Sequence, residues 1–218
     1  MHILLVAATP FEIAPLLQWL ENNFEQTSPG HFVTPNLQVS ILISGVGGSA
    51  TAGQTARFLA LQPINWAINA GIAGAFDPSL AIGSVVQVAS ERWGDLGVEE
   101  ADGGFTDLAE LGFTPQNYWQ NPAPHLPGLP AVKGLTVNKV HGNEASILLT
   151  KKKYPDVQTE SMEGAAFFQA CLDAGTPFVE IRSISNRVEP RNREAWDIPQ
   201  AIRELNLHLI GMLETLMQ

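Results

Sequence analysis

Unbroken runs of hydrophobic residues alternate along the chain with segments in which apolar residues recur at helical spacing. Strands buried on both faces show such unbroken runs, whereas strands with one solvated face alternate apolar and polar residues. The pattern therefore predicts an α/β fold in which helices connect the strands of a largely buried sheet. The predicted strands cover 2–8, 37–44, 66–70, 84–90 and 178–185, and the predicted helices cover 10–22, 48–61, 143–152, 161–174 and 197–216.

Residues 102–130 break this pattern, since they are rich in Gly, Pro and Asn and carry no sustained period. We expect a long loop or insertion within one domain that spans residues 1–218. A loop of this size in a compact domain is usually functional. A solvated surface excursion is the alternative.

Composition narrows the class of protein. The 218 residues are 45% hydrophobic and 16% charged, which excludes a disordered chain, and the net charge of −10 argues against nucleic-acid binding. No apolar run reaches membrane-spanning length, and the first ten residues lack the basic start of a signal peptide. The single cysteine, Cys171, forms no internal disulfide, so we expect a cytoplasmic protein.

Three segments combine small residues with the predicted ends of strands, namely Ser44-Gly45-Val46-Gly47-Gly48, Asn69-Ala70-Gly71-Ile72-Ala73-Gly74 and Ser185-Asn186. Ligands of open α/β sheets collect at the carboxyl ends of strands, where glycine lets the backbone approach them closely. The first segment lacks the lysine of a phosphate-binding P-loop and the full spacing of a dinucleotide-binding motif. The pattern therefore indicates a small-molecule site, and it favours neither ATP nor NAD.

Two acidic residues lie near predicted helix starts. Glu12 falls in the first turn of the helix that follows the first strand, and Glu163 opens the helix predicted to begin at Ser161. The helix dipole alone favours acids at such positions, which is the structural alternative for both residues. Glu163, however, precedes the small apolar residues Gly164 and Ala165, where a solvated charge is out of place. A carboxylate there needs hydroxyl partners, and a sugar could supply them.

These motifs, in this order, resemble the purine nucleoside phosphorylase/nucleosidase superfamily. The resemblance spans most of the chain outside 102–130 and implies a three-layer α/β/α fold with a mixed, partly barrel-like central sheet. Within the superfamily, the chain is most similar to the futalosine hydrolase family. The motifs are Glu12, 44–47, 69–74, 137–146, 160–166 and Ser185-Asn186.

The resemblance implies roles for individual residues. Glu12 would be the general base that deprotonates a water molecule, and Glu163 would accept hydrogen bonds from the ribose 2′ and 3′ hydroxyls. A carboxylate beside the sugar also attracts the positive charge that grows as an N-ribosidic bond breaks. Met162 would pack against the sugar. The other substrate-binding residues would be Ser44, Gly45, Gly71, Ile72, Ala73 and His141.

Asn186 departs from the adenine-specific members of the superfamily, which carry an aspartate at this place. An aspartate can protonate purine N7 and accept from a 6-amino group. An asparagine instead presents an acceptor oxygen beside a donor amide, which complements the N7–H and O6 of a 6-oxopurine such as hypoxanthine. We therefore expect Asn186 to act in catalysis by reading the leaving base, the alternative being an Asn that caps a turn.

Water is the expected nucleophile. Phosphorolytic relatives hold phosphate with arginines, one of which precedes the strand-end glycine, whereas this chain has Asn69-Ala70-Gly71 there. Neither glycine-containing loop carries a basic residue that could pair with a phosphate dianion. An arginine from elsewhere in the chain, or from another subunit, is the alternative.

The complete expectation is hydrolysis of futalosine to hypoxanthine and dehypoxanthine futalosine, a step of menaquinone biosynthesis. The substrate's carboxylate would bind Lys139, His141, Arg187 or Arg191, although the arginines equally fit a solvated basic patch. We expect no cofactor, no metal and no partner except the nucleoside and further copies in a homodimer or larger homo-oligomer. The alternatives are a methylthioadenosine/adenosylhomocysteine nucleosidase, a phosphorylase and a non-catalytic nucleoside-binding protein.

Overall fold

The computed structural model describes residues 1–123 and 126–217. Its α-helices are α1 (Ala14–Asn23), α2 (Gly48–Leu61), α3 (Glu144–Lys153), α4 (Gly164–Ala174) and α5 (Ile198–Met217), and Arg193–Ala195 forms a short 3₁₀ helix. Its strands are β1 (His2–Ala7), β2 (Glu25–Ser28), β3 (His31–Val33), β4 (Gln38–Ile43), β5 (Trp66–Ala75), β6 (Val85–Trp93), β7 (Gly97–Glu99), β8 (Phe105–Asp107), β9 (Tyr118–Gln120), β10 (Ala131–Thr136), β11 (Thr159–Ser161) and β12 (Phe178–Arg187).

Strand β1 explains why the predicted strands are hydrophobic throughout. Ile3 and Leu5 lie in a buried cluster with residues of α1 and α5, whereas Leu4 and Val6 lie in a second cluster with residues of α2 and α4. Side chains of a strand alternate between its two faces, so helices on both sides require apolar residues at every position. The three-layer α/β/α arrangement expected from the sequence is confirmed.

The main sheet is open at one end and closed at the other. Its order is β2-β3-β4-β1-β5-β12-β6-β10-β11, and β11 also pairs with β5. The five strands β5, β12, β6, β10 and β11 therefore form a closed barrel. Its pairings are parallel except β12–β6 and β11–β5, which are antiparallel. The mixed, partly barrel-like sheet is thus confirmed.

All the predicted strands and helices are present, but three strands run further than predicted. Strand β6 continues to Trp93, and the two strands β5 and β12 continue to Ala75 and Arg187. Strand β5 pairs with β1 as far as Asn69 and then with β11, and β12 follows β5 to its end. The segment 69–74 and Ser185-Asn186 therefore lie within strands, and the expectation that they follow strand ends was wrong. Barrel closure, which depends on distant pairings, extends both strands.

Residues 102–130 are not structureless. They contain β8, which pairs with β7, and β9, which pairs with the barrel strand β6. The prediction of an irregular loop was therefore wrong at these two strands, which are too short to show a period of two in the sequence. Residues 124 and 125 lie outside the described part of the chain.

Across the residues described, no helix combines the length and apolar character that crossing a membrane requires.

Candidate active site

Glu12 lies in the turn between β1 and α1, rather than in the first turn of the helix as predicted, because α1 begins at Ala14. One carboxylate oxygen accepts hydrogen bonds from the backbone N–H and the hydroxyl of Thr9, at 3.0 and 3.1 Å. The other accepts from the backbone N–H of Ile72 on β5, at 3.3 Å. These bonds direct the carboxylate from the turn after β1 towards Ile72, in the middle of β5.

Burial raises the pKa of Glu12 above the usual value for a glutamate. The positive charge of Arg182 opposes this shift, and the negative charge of Glu163 adds to it. A carboxylate that is stripped of water holds a proton more readily than a solvated one, and the hydrogen bonds from Ile72 and Thr9 oppose this effect only in part. This is the property that a general base needs.

Glu163 is the second acid near Arg182. It directly precedes α4, which begins at Gly164, and the preceding Ser161 ends strand β11. The prediction that the helix begins at Ser161 was therefore wrong, because β11 occupies that position to close the barrel. One Glu163 oxygen accepts a hydrogen bond from the backbone N–H of Gly47, at 3.0 Å. Gly47 has a φ of +94°, a conformation that favours glycine.

Arg182 connects the two acids. Its side chain is only 2% exposed, and one terminal nitrogen lies 4.0 Å from Glu163 and within hydrogen-bond distance of the Asn69 side chain. A Cβ atom on Gly71 would lie 2.5 Å from the other terminal nitrogen and 3.0 Å from a Glu12 oxygen. The absence of a side chain at Gly71 therefore lets Glu12 and Arg182 meet over β5, with Glu163 next to them.

Two further acids lie behind Arg182. Glu180, two residues earlier on β12, is 2.9 Å from Arg182 Nε, and Glu91 on β6 is also buried. Sequence reasoning did not select Arg182, Glu180 or Glu91. The available signal was two opposite charges, two residues apart and so on one face, within an otherwise apolar strand.

Asn186 lies three positions further along β5 than this cluster, opposite Gly74, where a bulge at Ser185 interrupts the pairing of β12 with β5. Its Nδ2 donates to the backbone carbonyl of Arg187 at 2.8 Å, and its Oδ1 accepts from the Ser185 hydroxyl at 2.8 Å. Because a carbonyl only accepts, these two bonds set the orientation of the amide. One Nδ2–H and one lone pair of Oδ1 are left for a ligand.

Two of the predicted substrate-binding residues contribute through their backbone. Ile72 donates its N–H to Glu12, and the carbonyl of Ala73 accepts from the Ser185 hydroxyl at 3.2 Å. The Ser185 hydroxyl has one proton, so the Ala73 carbonyl is the second and longer of its two acceptors after Asn186 Oδ1. Strand β5 therefore contacts both the proposed base and the residue beside Asn186. Two glycines of this strand leave space for site side chains. Gly71 leaves space for Glu12 and Arg182, and Gly74 leaves space for Asn186.

Ser44 and Gly45 follow β4, next to the loop that bonds Glu163. The Ser44 hydroxyl is only 5% exposed, donates to the Gly45 carbonyl at 3.0 Å and lies 3.2 Å from the Thr51 hydroxyl. Gly45 adopts a φ of +85°. Ser44 therefore shapes this loop, and Gly45 permits the turn that presents Gly47 to Glu163.

His141 contacts residues of β11 and α3 rather than the groups around Glu12. Its ring contacts the carboxylate of Glu160 through Nδ1 and the Thr150 hydroxyl through Nε2, and it packs edge-on against Phe76. Glu160 pairs with Gly74 on β11, and Asn186 pairs with the same glycine from the other side. Both ring nitrogens of His141 are thus engaged.

Met162 directly precedes Glu163 and is half-buried. A position next to the carboxylate that is expected to hold the ribose is compatible with packing against a sugar.

The four residues predicted as possible partners of a substrate carboxylate have different surroundings in the structure. Arg187 donates to the backbone carbonyl of Asp77 at 2.9 Å, and the guanidinium of Arg191 lies over the ring of Trp196. Lys139 and His141 instead line a cavity of about 730 Å³, together with Phe105.

Within 1–123 and 126–217, no group of three or more His, Cys, Asp and Glu side chains could hold a metal ion. Cys171 is buried in the cluster between the sheet and α4, and this burial raises the pKa of its thiol. A thiol that resists ionisation is a poor nucleophile.

Two curated relatives and one crystal structure are similar to this chain. A futalosine hydrolase of Streptomyces coelicolor is 34% identical over 182 residues, which cover 76% of this chain and 74% of that protein. One of Acidothermus cellulolyticus is 38% identical over 175 residues, which cover 76% and 71%. The crystal structure of a 5′-methylthioadenosine/S-adenosylhomocysteine nucleosidase from Colwellia psychrerythraea in complex with adenine superposes with a TM-score of 0.77 at 25% identity, covering 99% of this chain and 96% of that one.

A family description also matches this chain. Residues 2–124, more than half of the chain, match the Phosphorylase superfamily. This segment contains Glu12, the loop that bonds Glu163, and strand β5, which carries Gly71. The chain therefore belongs to the Phosphorylase superfamily.

Proposed function

We propose that this protein hydrolyses the N-ribosidic bond of a 6-oxopurine nucleoside. We further propose that its substrate is futalosine, which yields hypoxanthine and dehypoxanthine futalosine in menaquinone biosynthesis. The observation that carries hydrolysis is the meeting of Glu12, Glu163 and Arg182 at Gly71. Similarity to two futalosine hydrolases supports the finer assignment.

The proposed reaction begins with the sugar. Breaking the bond between the anomeric carbon and the purine nitrogen leaves a cationic, oxocarbenium-like ribose. Glu163 would accept hydrogen bonds from the 2′ and 3′ hydroxyls through its oxygen that does not bond Gly47. Its negative charge would attract the growing positive charge, an interaction that is stronger in the transition state than in the substrate.

Glu12 would then act on water. Its carboxylate would orient a water molecule below the sugar and take one proton as the oxygen bonds to the anomeric carbon. The products are the free purine and a ribose that bears a hydroxyl at that carbon. Burial favours this proton transfer because it raises the pKa of Glu12.

Asn186 would read the leaving base. Its free Oδ1 lone pair matches the N7–H of a departing hypoxanthine, and its free Nδ2–H matches O6. Adenine carries an amino donor in place of O6, which would face the amide donor of Asn186. A site built on specific hydrogen bonds can discriminate by factors of about 10⁴ when those partners are lost.

The charge balance of the site favours water over phosphate. Arg182 is the cation between Glu12 and Glu163, and it is already paired with Glu180. A phosphate dianion placed there would meet three carboxylates around one committed guanidinium, which is strongly unfavourable in a buried site. A neutral water molecule meets no such barrier.

Lys139 is our candidate partner for the carboxylate of futalosine. Arg187 and Arg191 make the contacts described above, and both ring nitrogens of His141 are engaged. Lys139 lines the same cavity as His141 and the aromatic ring of Phe105. That combination suits an aromatic group that bears a negative charge.

Two alternatives remain for experiment. The adenine-bound nucleosidase of similar fold favours an adenine-releasing enzyme, which Asn186 opposes. A non-catalytic nucleoside-binding protein on the same scaffold is opposed by Glu12, because binding alone needs no base beside the anomeric carbon.

The remaining parts of the proposal concern the protein as a whole. We propose a single catalytic domain over residues 1–218, with the 102–130 segment near the substrate, working without a cofactor as a cytoplasmic homo-oligomer.

Incubation of the purified protein with futalosine in phosphate-free buffer tests the proposed function. We expect release of hypoxanthine at a rate that added phosphate does not raise. Release of adenine from methylthioadenosine, but no hypoxanthine from futalosine, would replace the proposal with the adenine-releasing alternative. A strict requirement for phosphate, with ribose 1-phosphate as product, would indicate a phosphorylase.

A further inference from the structure

Two carboxyl groups are buried together inside the barrel, behind the proposed active site. Glu180 on β12 has no exposed surface, and Glu91 on β6 is 2% exposed. A side chain on Gly134 of β10, or on Gly164 at the start of α4, would overlap the carboxyl of Glu91. A Cβ on Gly164 would also lie 2.7 Å from a Glu180 oxygen. The two glycines therefore provide the space in which these acids meet.

The hydrogen bonds around Glu91 indicate how the pair shares its charge. Its Oε2 accepts from the Thr136 hydroxyl at 2.8 Å, and the oxygen of that hydroxyl accepts from the Ala165 N–H at 2.7 Å. Oε1 and an oxygen of Glu180 both lie beside the vacant Cβ position of Gly164. Two carboxylates this close in a dry site share one proton. Burial raises the pKa of Glu180 to about 7, but the charge of Arg182 opposes that shift, so Glu91 is the acid that carries the proton. Burial and the charge of Glu180 both raise the pKa of Glu91.

Glu180 directs its charge at one edge of the Arg182 guanidinium. Its Oε1 is 2.9 Å from Nε, and Asn69 contacts the terminal nitrogen Nη2. A guanidinium is planar and rigid, so contacts at Nε and Nη2 also determine where the remaining nitrogen lies. That nitrogen, Nη1, is the one beside Gly71 and Glu12.

We propose that Glu180, supported by Glu91, is a positioning residue for the hydrolytic site, because it holds Arg182 beside Gly71 between Glu12 and Glu163. This inference rests on the proposed function and deepens it. The charged groups that face Glu180 are Arg182 on its own strand, Glu91 from β6, and Glu163 from the segment before α4.

The proposal predicts a separation of kcat from KM. Glu180→Leu fills the space of the side chain but removes the negative charge that forms the ion pair with Arg182 Nε. It should lower kcat for nucleoside hydrolysis by about 10- to 100-fold, the effect of misplacing a group by about 1 Å. KM should change less than about threefold, because Glu163 remains bonded to the Gly47 N–H. Glu180→Gln retains an oxygen for Nε and should restore most of the lost kcat.

Ser183→Ala is the matched control. Ser183 is also fully buried on β12, and its hydroxyl has no hydrogen-bond partner among the described residues. This variant should keep wild-type kcat. Crystal structures of the Glu180→Leu and Glu180→Gln proteins provide a readout that does not depend on activity. We expect the guanidinium of Arg182 to leave Gly71 in the first and to stay in the second.

Unchanged kcat in Glu180→Leu, an equal loss in Glu180→Gln, or an unmoved Arg182 in the Glu180→Leu crystal would each overturn the inference. A wild-type protein that cleaves no nucleoside would refute the proposed function instead. The position of Arg182 in the two crystals would still decide whether Glu180 holds it.

Discussion

Replacing Glu12 by Gln separates the proposed chemistry from binding. The carboxylate accepts two bonds from Thr9 through one oxygen and one bond from the Ile72 N–H through the other. A glutamine can keep its oxygen towards Thr9, so only the 3.3 Å bond from Ile72 is replaced by a contact between two donors. The side chain keeps its size and place but loses the ability to take a proton.

The expected magnitudes follow from these contacts. Loss of a general base lowers turnover by about 10²- to 10⁴-fold, which corresponds to roughly 2.7–5.4 kcal/mol in the activation free energy. Loss of one long hydrogen bond costs about 1 kcal/mol of folding free energy, or about 2–4 °C in Tm for a chain of this size. The binding of a 6-oxopurine nucleoside should change little, because Glu163 and Asn186 are untouched.

The assay measures kcat for hypoxanthine release, nucleoside affinity by calorimetry, and Tm. Glu21→Gln is the matched control, since Glu21 is an exposed acid on the helix that follows Glu12. The control should behave as wild type in all three measurements. Turnover within a factor of about three of wild type in Glu12→Gln would refute the assignment of Glu12 as general base.

Three further predictions follow from the same contacts. Asn186→Asp places an oxygen against the Arg187 carbonyl, which in the wild type accepts from Nδ2 at 2.8 Å. The variant should lower hypoxanthine release at least tenfold relative to adenine release. An unchanged ratio in product chromatography would contradict recognition of the base by Asn186. Gly71→Ala should abolish most turnover because the new Cβ displaces Arg182. Its control is Gly53→Ala, in open space on α2, which should keep turnover and should not lower Tm. Equal turnover in both variants would contradict the site geometry. Glu91 has a raised pKa in the folded protein, so the folded state binds more protons than the unfolded one and stability falls as pH rises above about 4.5. Glu91→Gln should therefore flatten the decline of Tm with rising pH above that value, and an unaltered slope would contradict the buried proton.

The layers of the fold could be predicted from local sequence. The unbroken apolar run of β1 required helices on both faces, and the structure has α1 and α5 on one side and α2 and α4 on the other. Barrel closure could not be predicted in the same way, because it depends on the pairing of β11 with β5 across more than eighty residues. Only the family resemblance suggested it.

The sequence likewise identified some residues of the candidate site and missed others. Glu12, Glu163 and Asn186 were selected from the sequence, although their roles came from the resemblance. Arg182 was overlooked, since a charged residue in a hydrophobic strand reads as a local exception until its partners from β5, β6 and α4 are known. Ser44, in contrast, was selected from the sequence as a substrate-binding residue, but its hydroxyl bonds within its own loop.

The most direct test of the account is the purine released by the wild-type protein in phosphate-free buffer. With futalosine and methylthioadenosine supplied at equal concentration, the account predicts hypoxanthine as the dominant product, formed without ribose 1-phosphate. Adenine as the dominant product would contradict the reading of the 6-oxopurine edge by Asn186. Absence of both purines would contradict hydrolysis at the site formed by Glu12, Glu163 and Arg182.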